Sequence, residues 1–267
     1  MAARFSRDTA VTPLGEGRFR GRIDRGWWVE RGPNGGYVGA LLECALEQAV
    51  GAPDRQLRSF TVHYLAPPAE GDVEVLTTVE RSGRSLTSVS ARLMQGERAL
   101  AIAVGAFSSS RPSVEFCDVV MPDVPSPESL AAGRPAGGPP PIPMTARYDM
   151  RWAVGGTPFS GSAEALAGGW IRFSDPEPLG AAALVALADA WMPPLFTRVS
   201  RFLAVPTVDL TVHVRGLIPE DYDDWCLVVF RSSMAADGFV EEDGQIFTRN
   251  GALLAQSRQL AVMLPIG

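Results

Sequence analysis

Two stretches of the chain are apolar at helical spacing, and each is followed by a stretch that alternates apolar with polar. The first pair is NGGYVGALLECALEQAV, Asn34 to Val50, then RSFTVHYLAPP, Arg58 to Pro68. The second pair is LGAAALVALADAWM, Leu179 to Met192, then PTVDLTVHVRGL, Pro206 to Leu217. Apolar residues recurring at three and four predict helices, and alternation predicts half-buried strands, so the order helix then strand is predicted twice. Further alternating runs, separated by turn residues, follow each pair. In the first helix Glu43, Glu47 and Gln48 fall along one edge, which is expected to face water. In the second, Asp189 is the sole ionisable residue between Leu179 and Phe196. A helix apolar on every face is a buried helix.

The two halves match in more than element order. Thr61-Val62-His63 recurs as Thr211-Val212-His213, from 61 to 211, a shift of 150, and Leu100-Ala101 meets Leu254-Ala255, from 100 to 254, a shift of 154. So small a drift points to a duplication with short loop insertions. Between the halves, residues 112–145 are rich in Pro, Gly and Ser and lack either period, as expected of a linker. The expected organisation is a first domain over 1–111, the linker over 112–145, and a second domain over 146–267. One helix against an antiparallel sheet, twice over, is an α+β arrangement.

Composition then narrows the chemistry. The chain has 267 residues, 46% of them hydrophobic, enough to bury a real core. All 24 basic residues are arginine. Without lysine there is neither a P-loop nor a pyridoxal-phosphate Schiff base. A net charge of -6 argues against a nucleic-acid partner. No leader-like apolar run follows the N-terminal arginines, and no stretch is long and apolar enough for a bilayer, so a cytoplasmic protein without a membrane partner is expected. Cys44, Cys117 and Cys226 have no metal-site spacing and are expected to be small buried hydrophobes. No metal and no cofactor are expected.

Asp189 carries most information, because a carboxylate on a buried helix is costly unless something compensates for it. It is either a structural aspartate satisfied by local donors or a general base at the seam of helix and sheet. Subtracting the shifts places Gly39 opposite Asp189, Leu57 opposite Thr207 and Gly105 opposite Gln259, so the polar groups lie in the second half. Gly35 and Gly36 either leave backbone N–H groups bare for an oxyanion or let the helix enter a tightly wrapped sheet. GPNGGYVG does not fit a dinucleotide fingerprint. His63 and His213 occupy equivalent strand positions and read as structural, and there is no GxSxG elbow. Trp191, two residues beyond Asp189, reads as a packing residue or a ligand-stacking one.

Five features in order, Asn34-Gly35-Gly36, Ser59-Phe60 through Leu65 and Pro67, Asp189, Thr207-Val208-Asp209 and Gln259, resemble those of the acyl-CoA thioesterase II family. The resemblance implies an α+β tandem (double) hotdog, two antiparallel sheets each wrapped around a long buried helix. It implies an acyl-CoA substrate, with Asp189, Thr207 and Gln259 orienting a water for attack on the thioester and no covalent intermediate. Asn34, Gly35, Gly36 and Trp191 are expected at the substrate. One departure is that the family's Thr-x-Asp strand continues with His and large aromatics, here Leu210-Thr211-Val212-His213, which leaves the shape of the acyl pocket open. Two rivals stand beside this reading. A hotdog hydratase would pair the aspartate with a histidine five residues on, where this chain has Pro194. A non-catalytic acyl-CoA or lipid-binding module would use Asp189 structurally. A homo-oligomer, dimer or higher, is left open.

Overall fold

The computed structural model describes residues 2–133 and 142–264; residues 134–141 of the expected linker lie outside the described residues. In chain order the first half contains α1 (Arg4–Thr9), β1 (Thr12–Gly15), β2 (Arg18–Ile23), α2 (Gly35–Val50), β3 (Gln56–Tyr64), β4 (Gly71–Ser82), β5 (Leu86–Gln95) and β6 (Arg98–Ser108). The second contains β7 (Tyr148–Gly155), β8 (Ala165–Phe173), α3 (Ala181–Leu187), α4 (Leu195–Arg198), β9 (Thr207–Val214), β10 (Cys226–Ser232), β11 (Ala235–Ala236), β12 (Phe239–Thr248) and β13 (Leu253–Val262).

All strands belong to one antiparallel sheet of 13, not to two. Its order is β1-β2-β4-β5-β6-β3-β9-β13-β12-β10-β8-β7, with β11 attached to β12. The sequence of strand types reads the same from either edge. The halves meet because β3 and β9 pair directly, and an edge that pairs is no longer an exposed template for other chains. Thr61 lies opposite Thr211, their hydroxyl oxygens 3.0 Å apart, with Ser59 opposite His213 and His63 opposite Asp209 on either side. A register that maps onto itself under the 150-residue shift is what a twofold axis between the two threonines requires. The neighbouring ladders agree: Phe60 pairs with Gly105 and Leu210 with Gln259, and both ladders carry a bulge beside Leu57 and Thr207.

The helices lie together on the inner face, in one continuous core that runs through both halves. α2 has 16 residues, begins where the Asn34 side chain accepts the Tyr37 N–H, and stops at Gly51 in the left-handed conformation. α3 differs from the expected Leu179–Met192 helix, ending after seven residues at Leu187, and Asp189 stands in the turn behind it. Past Leu187 the backbone tightens to bonds three residues apart, the Asp189 N–H on the Ala186 carbonyl and the Ala190 N–H on that of Leu187, and Pro193 bars a return to the helical pattern. In a continued helix the Asp189 carbonyl would take the N–H of residue 193, but Pro193 has none, so the carbonyl accepts instead from the Asn34 amide at 2.7 Å.

Two other expectations change. Glu43 does not face water with Glu47 and Gln48 but is fully buried. Cys226 is buried as expected, whereas Cys117, in the segment between the halves, is exposed. Farther along that segment Val119, Met121, Val124 and Leu130 pack on the outer sheet face around Trp170 and Trp225. Among the described residues no helix is long and apolar enough to cross a membrane.

Candidate active site

The turn after α3 points Asp189 at the first turn of α2. Its Oδ2 accepts the Gly36 N–H at 2.8 Å and the Asn34 amide at 2.8 Å. One residue of the first half, Asn34, thereby caps its own helix and holds both the carboxylate and the carbonyl of Asp189. The glycines follow from this closeness. A Cβ at Gly35 would lie 3.0 Å from Asp189 Oδ2 and at Gly36 2.7 Å from the Ala186 carbonyl. Of the two readings offered for the glycines, close approach explains both positions. The Gly36 N–H is engaged by the carboxylate, so it is not a bare donor for an oxyanion.

On the sheet side, Thr207 Oγ1 donates to Gln259 Oε1 at 3.0 Å, and Gln259 Nε2 donates to Glu242 Oε1 at 2.6 Å. The Thr207 and Gln259 side chains face inward from the adjacent strands β9 and β13. Glu242 is the cross-strand partner of Gln259 on β12. Burial raises the Asp189 carboxyl from its ordinary range to about 6, opposed by donation from the Gly36 N–H, the Gln259 side chain, Asn34 and the Gly35 N–H. The field of the α2 N-terminus favours the ionised form as well. At neutral pH the group is therefore charged yet more basic than an exposed aspartate, which suits it to take a proton from water. Glu242 is pushed up to about 8, first by burial, then by the charges of Asp189, Glu241 and Asp243, against donation from Gln259.

Asp189, Thr207, Gln259 and Glu242 line one cavity of about 520 Å³, together with Asn34 and Gly35. Its remaining walls are mostly apolar, with Glu30, Arg31, Tyr64, Thr145 and Ser232 also among the lining residues. Trp191 lines it and leans on Trp152, ring centroids 4.9 Å apart, while Phe196 and Phe202 close another part. All the residues expected at the site line this cavity or, like Gly36, bond a group that does. His63 and His213 lie elsewhere, exposed on the outer face. Among the described residues no group of His, Cys, Asp and Glu could hold a metal ion.

Two residues here were not expected. Tyr64 donates to the Gly35 carbonyl at 2.7 Å, its phenol held well above the usual range by burial and by the Asp189 charge. Glu242 could have been found from the alternation Val240, Glu242, Gly244, Ile246, which sets an acid on an inward position. The run Glu241-Glu242-Asp243 hides which of three acids that is.

An antiparallel sheet with few helices, the helices nested on one face, defines the hotdog class. A solved hotdog-fold protein of unknown function from Alicyclobacillus acidocaldarius is 27% identical, with a TM-score of 0.90 and 100% of each chain covered. The family model described as the acyl-CoA thioesterase N-terminal domain matches residues 24–108, and that of the C-terminal domain matches 122–263. The chain belongs to this acyl-CoA thioesterase family. An acyl-CoA thioesterase II of Mycobacterium marinum shares the fold at 21% identity and a TM-score of 0.76, over 98% of each chain. An uncharacterized protein of Mycobacterium tuberculosis is 25% identical over 98% of this chain and 99% of its own.

Proposed function

We propose that the chain is a tandem hotdog enzyme, 1–111 and 146–267 joined by 112–145, that hydrolyses acyl-CoA thioesters to a free acid and coenzyme A. The observation that carries this is Asp189: a cavity-lining carboxylate, basic enough to deprotonate water, held on Oδ2 by Asn34 and Gly36. A water between Asp189, Gln259 and Thr207 gives its proton to the carboxylate as its oxygen attacks the thioester carbon. The tetrahedral intermediate collapses with cleavage of the C–S bond, and the proton on Asp189 passes to the departing sulfur. No residue is acylated. The apolar walls around Trp152, Trp191, Phe196 and Phe202 take the acyl chain.

Asp189→Asn tests this. Asparagine keeps the shape and an acceptor for Asn34 and Gly36 but cannot take the proton. Thiol release from acyl-CoA is expected to fall by about 10²- to 10⁴-fold, while binding of acyl-CoA and the melting temperature are retained. A folded Asn variant at most of the wild-type rate would leave the non-catalytic acyl-CoA-binding module as the better reading.

A further inference from the structure

We propose that Glu242 is a positioning residue for the hydrolytic site, fixing which end of the Gln259 amide is turned toward Asp189. The inference rests on the function proposed above and concerns how Gln259 comes to act in it.

A glutamine amide has an acceptor end and a donor end of almost the same shape. Only the donor end serves here, since the carbonyl would be repelled by the Asp189 carboxylate and could not donate to the attacking water. Thr207 cannot make the choice, because a hydroxyl donates or accepts with equal ease and satisfies either orientation. A group whose oxygen accepts on the far side can. Glu242 supplies it in its carboxylate form, with Oε1 2.6 Å from Gln259 Nε2 and in direct cross-strand register. With Oε1 of Gln259 on Thr207 and one N–H on Glu242, the second N–H is left for Asp189 and its water. Gln259 and Asp189 line the same cavity, into which this end of the amide can turn. The cost of the arrangement is a carboxyl at an inward strand position. At the matching place in the first half Gly105 pairs with Val89, so the acid is absent where the glutamine is absent.

Three variants of the full chain, assayed by thiol release and thermal melting, test the assignment. Glu242→Leu removes the acceptor, and Glu242→Asp keeps the carboxyl but withdraws it by one methylene. Each is expected to lower kcat by about tenfold or more with KM within about twofold, the pattern of an interaction made in the transition state. Glu242→Gln retains an acceptor oxygen but adds an amide donor that satisfies the reversed orientation too, so its kcat is expected to fall between those of wild type and Glu242→Leu. Because Glu242 acts through Gln259, Gln259→Ala and Gln259→Ala/Glu242→Leu should share one kcat. Wild-type kcat in folded Glu242→Leu, or in Glu242→Asp should the leucine variant not fold, overturns the proposal, as do effects that multiply in the double variant. If Asp189→Asn and Gln259→Ala keep the wild-type rate, it is the hydrolytic function that falls instead.

Discussion

The two halves use the same strands in the same order around one axis, yet one holds a cavity and the other is filled. At the inner positions of three adjacent strands the second half has Thr207, Gln259 and Glu242 where the first has Leu57, Gly105 and Val89. The decisive difference in volume lies one pair along. Phe107, opposite Leu57, is fully buried, and a Cβ at Gly105 would stand 2.9 Å from its ring and 3.1 Å from Leu46. The corresponding residue opposite Thr207 is Ala261, which lines the cavity. One ring thus replaces a site by a core. The first half is still not dispensable to the chemistry, since it provides Asn34 and the α2 N-terminus that hold Asp189.

The helices diverge in another way. Their caps, Asn34 and Gly180, lie 146 residues apart, four fewer than the shift that relates Thr61 to Thr211. Counted from the caps, Glu43 rather than Gly39 stands opposite Asp189. The first half therefore kept a buried carboxyl at this place. Asp189 has two donors and a cavity; both Glu43 oxygens are buried without a hydrogen-bond partner among the described residues. Matching places thus hold a carboxyl with donors beside a cavity in one half and a carboxyl without hydrogen-bond partners in the other.

This contrast can be broken most forcefully at its two acids. Against the large loss expected for Asp189→Asn, Glu43→Gln should leave thiol release within about twofold, since Glu43 lies outside the cavity and such substitutions act on stability alone. Comparable losses in both variants would mean that the halves share the catalysis.

Importing the first half's filler is expected to have the next largest effect. Ala261→Phe puts into the cavity the ring that Phe107 puts into the opposite half, and pocket contacts of this kind change discrimination by about 10- to 200-fold. kcat/KM for acyl-CoA should fall by about tenfold or more, most for the bulkiest acyl groups, with the fold retained. Activity unaffected by acyl size would place the acyl chain elsewhere.

A smaller, graded effect is expected with pH. Because burial raises the Asp189 carboxyl to about 6, kcat/KM should climb about tenfold per unit below that value and level off above it. Asp189→Asn should flatten the limb in whatever rate remains. A limb centred near 4 would mean that the carboxyl is solvated during turnover.

Much of this was legible before any coordinates, and the parts that were not share a cause. Alternation and the repeated Thr-Val-His gave the strands and the duplication, because period-2 burial is a local property and a repeat is read directly from the residues. Asp189 stood out as the one ionisable residue in an apolar run, whereas Thr207 and Gln259 emerged only from the asymmetry between the halves and from the resemblance. The early end of α3 did not, since it depends on Pro193 lacking an N–H and on Asn34, 155 residues away, taking the carbonyl. The burial of Glu43 likewise depends on packing against other elements, on an edge that looks solvent-exposed when α2 is considered alone. Nor does alternation distinguish two sheets from one, because joining them requires only that β3 and β9 be free at their edges.

The smallest expected effect concerns the stability of the quieter half. Burial, reinforced by the neighbouring charge of Glu47, holds the Glu43 carboxyl well above its ordinary value. In the unfolded chain the group loses its proton near 4.5, and in the folded protein it keeps it to much higher pH. Between those limits the native state binds more protons than the unfolded state, so stability falls as pH rises, by at most about 1.4 kcal/mol per unit for one such group. Glu43→Gln removes the titration but leaves a buried polar group, whereas Glu43→Leu removes both and deletes an unsatisfied carboxyl, itself worth about 1–3 kcal/mol. Urea unfolding at pH 5 and pH 8 should therefore show both variants gaining on the wild type, by more at pH 8, with leucine ahead of glutamine at each. Equal gains at the two pH values would mean that Glu43 ionises as readily in the folded chain as in the unfolded one, and that its carboxyl has found a partner or water.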